Sequence, residues 1–190
     1  FGSAMDEQHV SNHGLVLAEN FLASALSVAE SRKLTVPESI DINSGVTLDP
    51  TAVQLEAWHA AICERIATPP ALSRAASEYE KLYDAVTKAG YPSQSAAFAT
   101  RLGAVHSLLG HLDESEKWMQ RAVAISTEGA SITNVLEGGA TKPISPLDSR
   151  SVISTLVAYS RIHALTSASR KDLHNALYTA VNAARLAHTQ

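Results

Sequence analysis

An all-α chain of antiparallel helical hairpins, about seven helices long, is the fold class this sequence predicts. Three observations carry the expectation. Ala, Leu, Glu, Gln and Arg dominate the periodic segments, and these residues form helix readily. Apolar positions recur at helical spacing, while strand-like alternation of Val, Ile and aromatics is absent. Pro and Gly fall between the periodic segments, where helices begin and stop.

The first helix is expected over residues 9–33, with Leu15, Ala18, Phe21, Leu22, Ala25 and Val28 as its apolar stripe and Gly14 weakening its start. Residues 34–48, with Pro37 and Gly45, read as a long connection. Asp49 caps the second helix and Pro50 takes its first position; Val53, Ala57, Ala60 and Ile62 to Ile66 supply its buried side. Pro69-Pro70 ends that helix and opens a third, about 71–89, whose Tyr79, Leu82, Tyr83 and Val86 follow i, i+3, i+4, i+7. Gly90 caps its end. Pro92 opens a fourth, about 93–109, and Gly110 and Asp113 punctuate the turn into a fifth, about 113–127. Residues 128–147 hold three glycines and two prolines and read as an irregular loop. Asp148 caps a sixth helix to about residue 166, and Ser169 a seventh to about residue 188.

The 190 residues fit one domain, expected over 6–190, with Phe1–Met5 read as the scar of a cleaved tag. On that reading Met5 need not be the natural start, and the chain can be a piece of a longer protein. Hydrophobic residues at 45% and charged ones at 18% describe a globular chain rather than a disordered one. With a mean hydropathy of −0.01, no apolar run is long enough to span a bilayer. A net charge of −4 offers no basic field for nucleic acid. Cys63 is the single cysteine, so no internal disulfide forms; a reducing intracellular setting, cytoplasmic or organelle-associated, is expected. Its apolar helical neighbours favour a buried, inert thiol over a nucleophile.

"RLGAVHSLLGHLDESEKWMQRAVAI", residues 101–125, is unusual in carrying two glycines within one helical pattern. Ala99, Leu102-Gly103 and His106, then Gly110 and Leu112, then Ser115, Met119, Ala122 and Thr127 resemble the spacing of a tetratricopeptide repeat over about residues 96–129. Leu102, Gly103, Gly110 and Ala122 match that pattern well, whereas Ala99, His106, Ser115 and Thr127 depart from its commonest choices. An ordinary helical hairpin accounts for Gly110 at a turn but leaves Gly103 without a reason; a close helix crossing supplies one. "LSRAASEYEKLYDAVTKAGYP" looks like the second helix of a preceding repeat, and the pair at 148–188 places Ala158, Ala176, Ala180 and Ala183 at crossing spacing. The resemblance implies a right-handed array of stacked hairpins. It also implies a non-enzymatic scaffold that binds a partner peptide or helix in a concave groove, with membership of a larger complex left open.

In this chain the positions similar to the groove-lining ones are Ala97, Thr100, Arg101, Ala104, Ser107 and Leu108, with Thr155, Tyr159, Ile162 and His163 on the sixth helix. They are mostly small, and Arg101 is the lone cation among the fourth-helix set, which disfavours clamping of a terminal carboxylate. Tight internal packing suits the same small residues. A small helical enzyme or metal-binding bundle is the alternative from another class, and a structural subunit with a self-filled groove is the third.

Signals for chemistry are weak. His9 and His13 are four apart, a spacing able to hold a metal, but no third ligand is evident. Glu56 and His59 form half of a di-iron Glu-x-x-His signature without the second copy it requires. "EGGATK" at 137–142 lacks the spacing and preceding strand of a phosphate loop, and no nucleophile elbow or Cys-x-x-Cys occurs. Trp58 and Trp118 read as helix-packing wedges. The expectation is therefore no catalytic residues, no metal and no cofactor.

Overall fold

Helix follows helix through the computed structural model, which describes residues 3–37, 48–126, 146–166, 174, 176–181 and 183–184; no strand occurs among these residues. Six helices have defined bounds: α1 (Ser3–Ser31), α2 (Pro50–Ile66), α3 (Pro69–Lys88), α4 (Pro92–Leu108), α5 (Leu112–Ser126) and α6 (Pro146–Thr166). The all-α expectation holds. Residues 174, 176–181 and 183–184 are also helical, within the seventh helix expected from Ser169. The connections expected at 34–48 and 128–147 fall largely outside the described residues, although Pro146 and Leu147 already belong to α6. The chain gathers into two compact units, Phe1–Ala89 and Gly90–Gln190.

In the first unit α2 packs against both α1 and α3. Asp49 stands at the N-cap of α2 as expected: its carboxylate accepts from the N–H groups of Thr51 at 2.7 Å and Ala52 at 3.3 Å, and Pro50 follows. Two corrections concern the buried faces. Phe21 and Val28, expected in the α1 stripe, are exposed, Phe21 by 75%. The half-buried line is instead Leu15, Ala18, Leu22, Ala25, Leu26 and Ala29. At about 100° per residue, Leu17, Phe21 and Val28 form a separate apolar line beside it. On α2 the buried residues are Ala52, Glu56, His59, Ala60 and Cys63, while Val53, Ala57, Ile62 and Ile66 are only half-buried. α2 lies between two neighbours, and its buried line mixes Ala52, Ala60 and Cys63 with Glu56 and His59, which meet Lys81 and Glu78 of α3.

Left-handed residues close these helices. Lys33 (φ 59°) ends α1, with Leu34 N–H donating to Ala29 O at 2.9 Å and Lys33 N–H to Glu30 O at 3.0 Å. Ala67 (φ 56°) makes the tight turn before Pro69-Pro70. α3 buries Tyr79, Leu82 and Val86 as its spacing predicts, leaves Tyr83 of the same expected stripe half-buried, and adds Ala71, Leu72, Ala75 and Ala85.

In the second unit α4 and α5 form a hairpin, and α6 packs on both. Gly110 (φ 79°) ends α4: its N–H donates to Ser107 O at 3.1 Å and that of His111 to His106 O at 2.9 Å, the paired bonds of a Schellman turn. Gly103 answers the question its sequence raises. A Cβ there would stand 2.7 Å from Met119 Cε and 2.8 Å from its Cγ, so the two helices cross at a distance only glycine leaves open. Ser115, also at the crossing, donates from its hydroxyl to Gly103 O at 2.7 Å. One expected cap is corrected: α6 begins at Pro146, so Asp148 lies within its first turn; α5 begins at Leu112, and Asp113 lies in its first turn, where its charge favours the helix dipole.

Candidate functional site

α4 carries most of the residues expected to line a groove. Ala97, Arg101, Ala104 and Leu108 recur at i, i+4, i+7 and i+11, and so share one line along the helix. Ala97 and Arg101 are exposed, Ala104 is half-buried, and Leu108 ends the line 60% exposed. Thr100 and Ser107 sit on the flank of that line and are half-buried. Thr100 shares a hydrogen bond with Thr155 of α6 at 3.2 Å, and also donates to Ala96 O at 2.8 Å.

Thr155, expected on an open face, is only 2% exposed. The contact between α6 and α4 covers it. Tyr159 faces α5 instead: burial pushes its hydroxyl pKa up, the nearby Glu116 carboxylate adds to this, and a Gln120 hydrogen bond works the other way. Ile162 is buried. The side chain of His163 lies outside the described residues, as does Thr127. Trp118 is buried as expected, with the Arg121 guanidinium 4.6 Å from its ring centre, but Trp58 is exposed rather than wedged between helices.

The first unit holds a polar seam in its core. Glu56, buried on α2, accepts from Val36 N–H at 3.3 Å and from Lys81 Nζ of α3 at 3.0 Å, tying the chain after α1 to both later helices. One turn along, His59 is 6% exposed, and its Nδ1 lies 2.7 Å and 2.9 Å from the two carboxylate oxygens of Glu78. An N–H at Nδ1 donating to this carboxylate leaves the lone pair on Nε2, which is buried and has no hydrogen-bond partner. Burial raises the Glu78 pKa above the usual carboxylate value, while the hydrogen bond and charge of His59 lower it.

Cys63 follows one further turn along α2 and is fully buried. Burial pushes its thiol up to about 11, the Glu78 and Glu19 carboxylates add to the rise, and Arg74 opposes it. Glu19 reaches this point from α1, held by Arg74 Nη2 at 2.6 Å. A ring nitrogen of His59, Sγ of Cys63 and a carboxylate oxygen of Glu19 lie within 4.8 Å of one another. Tyr79 donates to Glu64 at 3.0 Å nearby on the α2–α3 face.

Glu56 and His59 stand out in the sequence only as half of a di-iron signature, and Cys63 as a buried thiol; assigning the buried side of α2 by apolarity does not join the three into one seam. The available signal was spacing: Glu56, His59 and Cys63 stand at i, i+3 and i+7, which puts all three on one face. Glu19 and Glu78 come from other helices and carry no local signal. No family model, no curated protein and no solved structure matches this chain.

Proposed function

We propose that the chain is a non-enzymatic helical-hairpin domain that binds a protein or peptide partner along α4, as its tetratricopeptide-like stretch implies. The open line Ala97–Arg101–Ala104–Leu108 carries this reading, because small residues admit close approach and an exposed leucine supplies an apolar anchor. The tight α4–α5 crossing at Gly103 is consistent with it, since a rigid hairpin presents such a line without an ordering cost on binding. Arg101 is exposed on this line beside Leu108, so a partner segment with an acidic residue next to an apolar one suits it. Among the described residues no helix is long and apolar enough to cross a membrane.

Capture of partners from native lysate tests the surface. Arg101→Glu and Leu108→Glu are expected to lose bound partner, whereas Phe21→Glu, on the exposed α1 line, is expected to retain it. Retention through both α4 substitutions, with loss at Phe21, moves the binding face to α1.

A further inference from the structure

We propose that Glu19, His59 and Cys63 form a binding site for one divalent cation of the zinc class, with Glu78 orienting the histidine. Three helices build it. His59 and Cys63 are four residues apart on the buried face of α2, the spacing at which two side chains of one helix can hold a metal. Glu19 arrives from α1 and Glu78 from α3.

The second observation is the histidine itself. His59 is more than nine-tenths buried, and its Nε2 has no hydrogen-bond partner, a state that costs free energy in a core unless something accepts the lone pair. Its Nδ1 meets Glu78, the carboxylate–histidine arrangement that fixes the ring of a metal ligand and makes Nε2 a better donor. A core histidine kept only for packing needs neither feature.

Chemistry selects the class of ion. Thiolate, imidazole and carboxylate are one sulfur, one nitrogen and one oxygen donor, which favour zinc and its neighbours over magnesium or calcium. Two ligand charges neutralise a divalent cation, so the buried site carries no net charge in its first ring of ligands. Tetrahedral zinc with bonds of about 2.0–2.3 Å places its ligand atoms roughly 3.3–3.8 Å apart. The atoms here lie within 4.8 Å, so an inward shift of about an ångström closes the set. Arg74 holds Glu19 Oε1 at 2.6 Å, and the proposed site takes a carboxylate oxygen of the same group. The fourth position falls to water, and a bound ion staples α1 to α2.

Cobalt titration of the chelator-treated full chain tests the site, because tetrahedral cobalt with a sulfur ligand shows visible d–d bands and a thiolate-to-metal charge-transfer band. One equivalent of cobalt, displaced by zinc, is expected to give both and to raise the melting temperature. Cys63→Ser is expected to abolish the charge-transfer band while its circular dichroism stays helical. Glu78→Gln is expected to keep the band but weaken binding by about 10–100-fold. A paired His9→Gln, His13→Gln variant is expected to bind as the parent does. Absence of the charge-transfer band in the parent chain, or binding lost with that histidine pair and kept in Cys63→Ser, overturns the proposal.

Discussion

Gly103 and Gly110 look alike in the sequence and do different work. Gly110 supplies a left-handed residue at a helix end, whereas Gly103 has helical geometry and is required by its neighbour, Met119. Gly103→Ala gains helix propensity of about 1 kcal/mol but forces Met119 aside, and overpacking of this kind costs about 1–3 kcal/mol. The Met119 Cγ contact at 2.8 Å lies midway along that side chain, so rotation of its end alone does not relieve it. Net destabilisation of about 1 kcal/mol is expected in urea unfolding. Met119→Ala in the same chain is expected to remove most of the added penalty, so that the two changes are strongly non-additive. Additive effects would show that the crossing is looser than it looks. The spacing around Gly103 was legible in the sequence; the identity of the side chain that needs it was not.

At the scale of the element, helix starts and stops were mostly legible because they are local. Asp49 and Pro50 open α2 through bonds made within three residues, and Gly90 (φ 78°) closes α3 where a left-handed residue is needed. Asp49→Ala is expected to lower stability by about 1 kcal/mol, read as a lower urea midpoint with an unchanged slope. Asp49→Ser is expected to restore most of the loss, since a serine hydroxyl accepts from the same N–H groups. The buried faces were less legible. α1 carries apolar residues on two lines, and composition alone does not say which one meets α2. α2 places Glu56 and His59 inward, against the ordinary preference for apolar residues, with Lys81 and the Val36 N–H partnering Glu56 and Glu78 partnering His59 Nδ1.

For the molecule as a whole, the polar core of the first unit couples folding to pH. Cys63 has its thiol raised from 9.0 to about 11, so the folded metal-free chain holds this proton more tightly than the unfolded chain. That contribution is fully present below about pH 9 and is lost as pH rises through about 11. Glu78, also raised, contributes in the same sense at lower pH, present below the usual carboxylate range and lost as pH climbs through its raised value. Urea midpoints of metal-free protein are therefore expected to fall between about pH 8 and about pH 10.5, and to fall less in Cys63→Ala. An equal fall in that variant would assign the alkaline loss to other groups.

By itself the sequence determined the helical class, the turns and the close crossing at Gly103, since propensity, capping and glycine geometry act over a few residues. Tertiary structure decided which lines of α1 and α2 turn inward, whereas the spacing on α3 already marked Tyr79, Leu82 and Val86. The contact of α6 with α4 buries Thr155, and the packing of α2 against α1 and α3 brings Glu19, His59, Cys63 and Glu78 together from three helices. Spacing along one helix records which residues share a face, but which neighbour covers that face, and which side chains it brings from other helices, depends on residues distant in the chain.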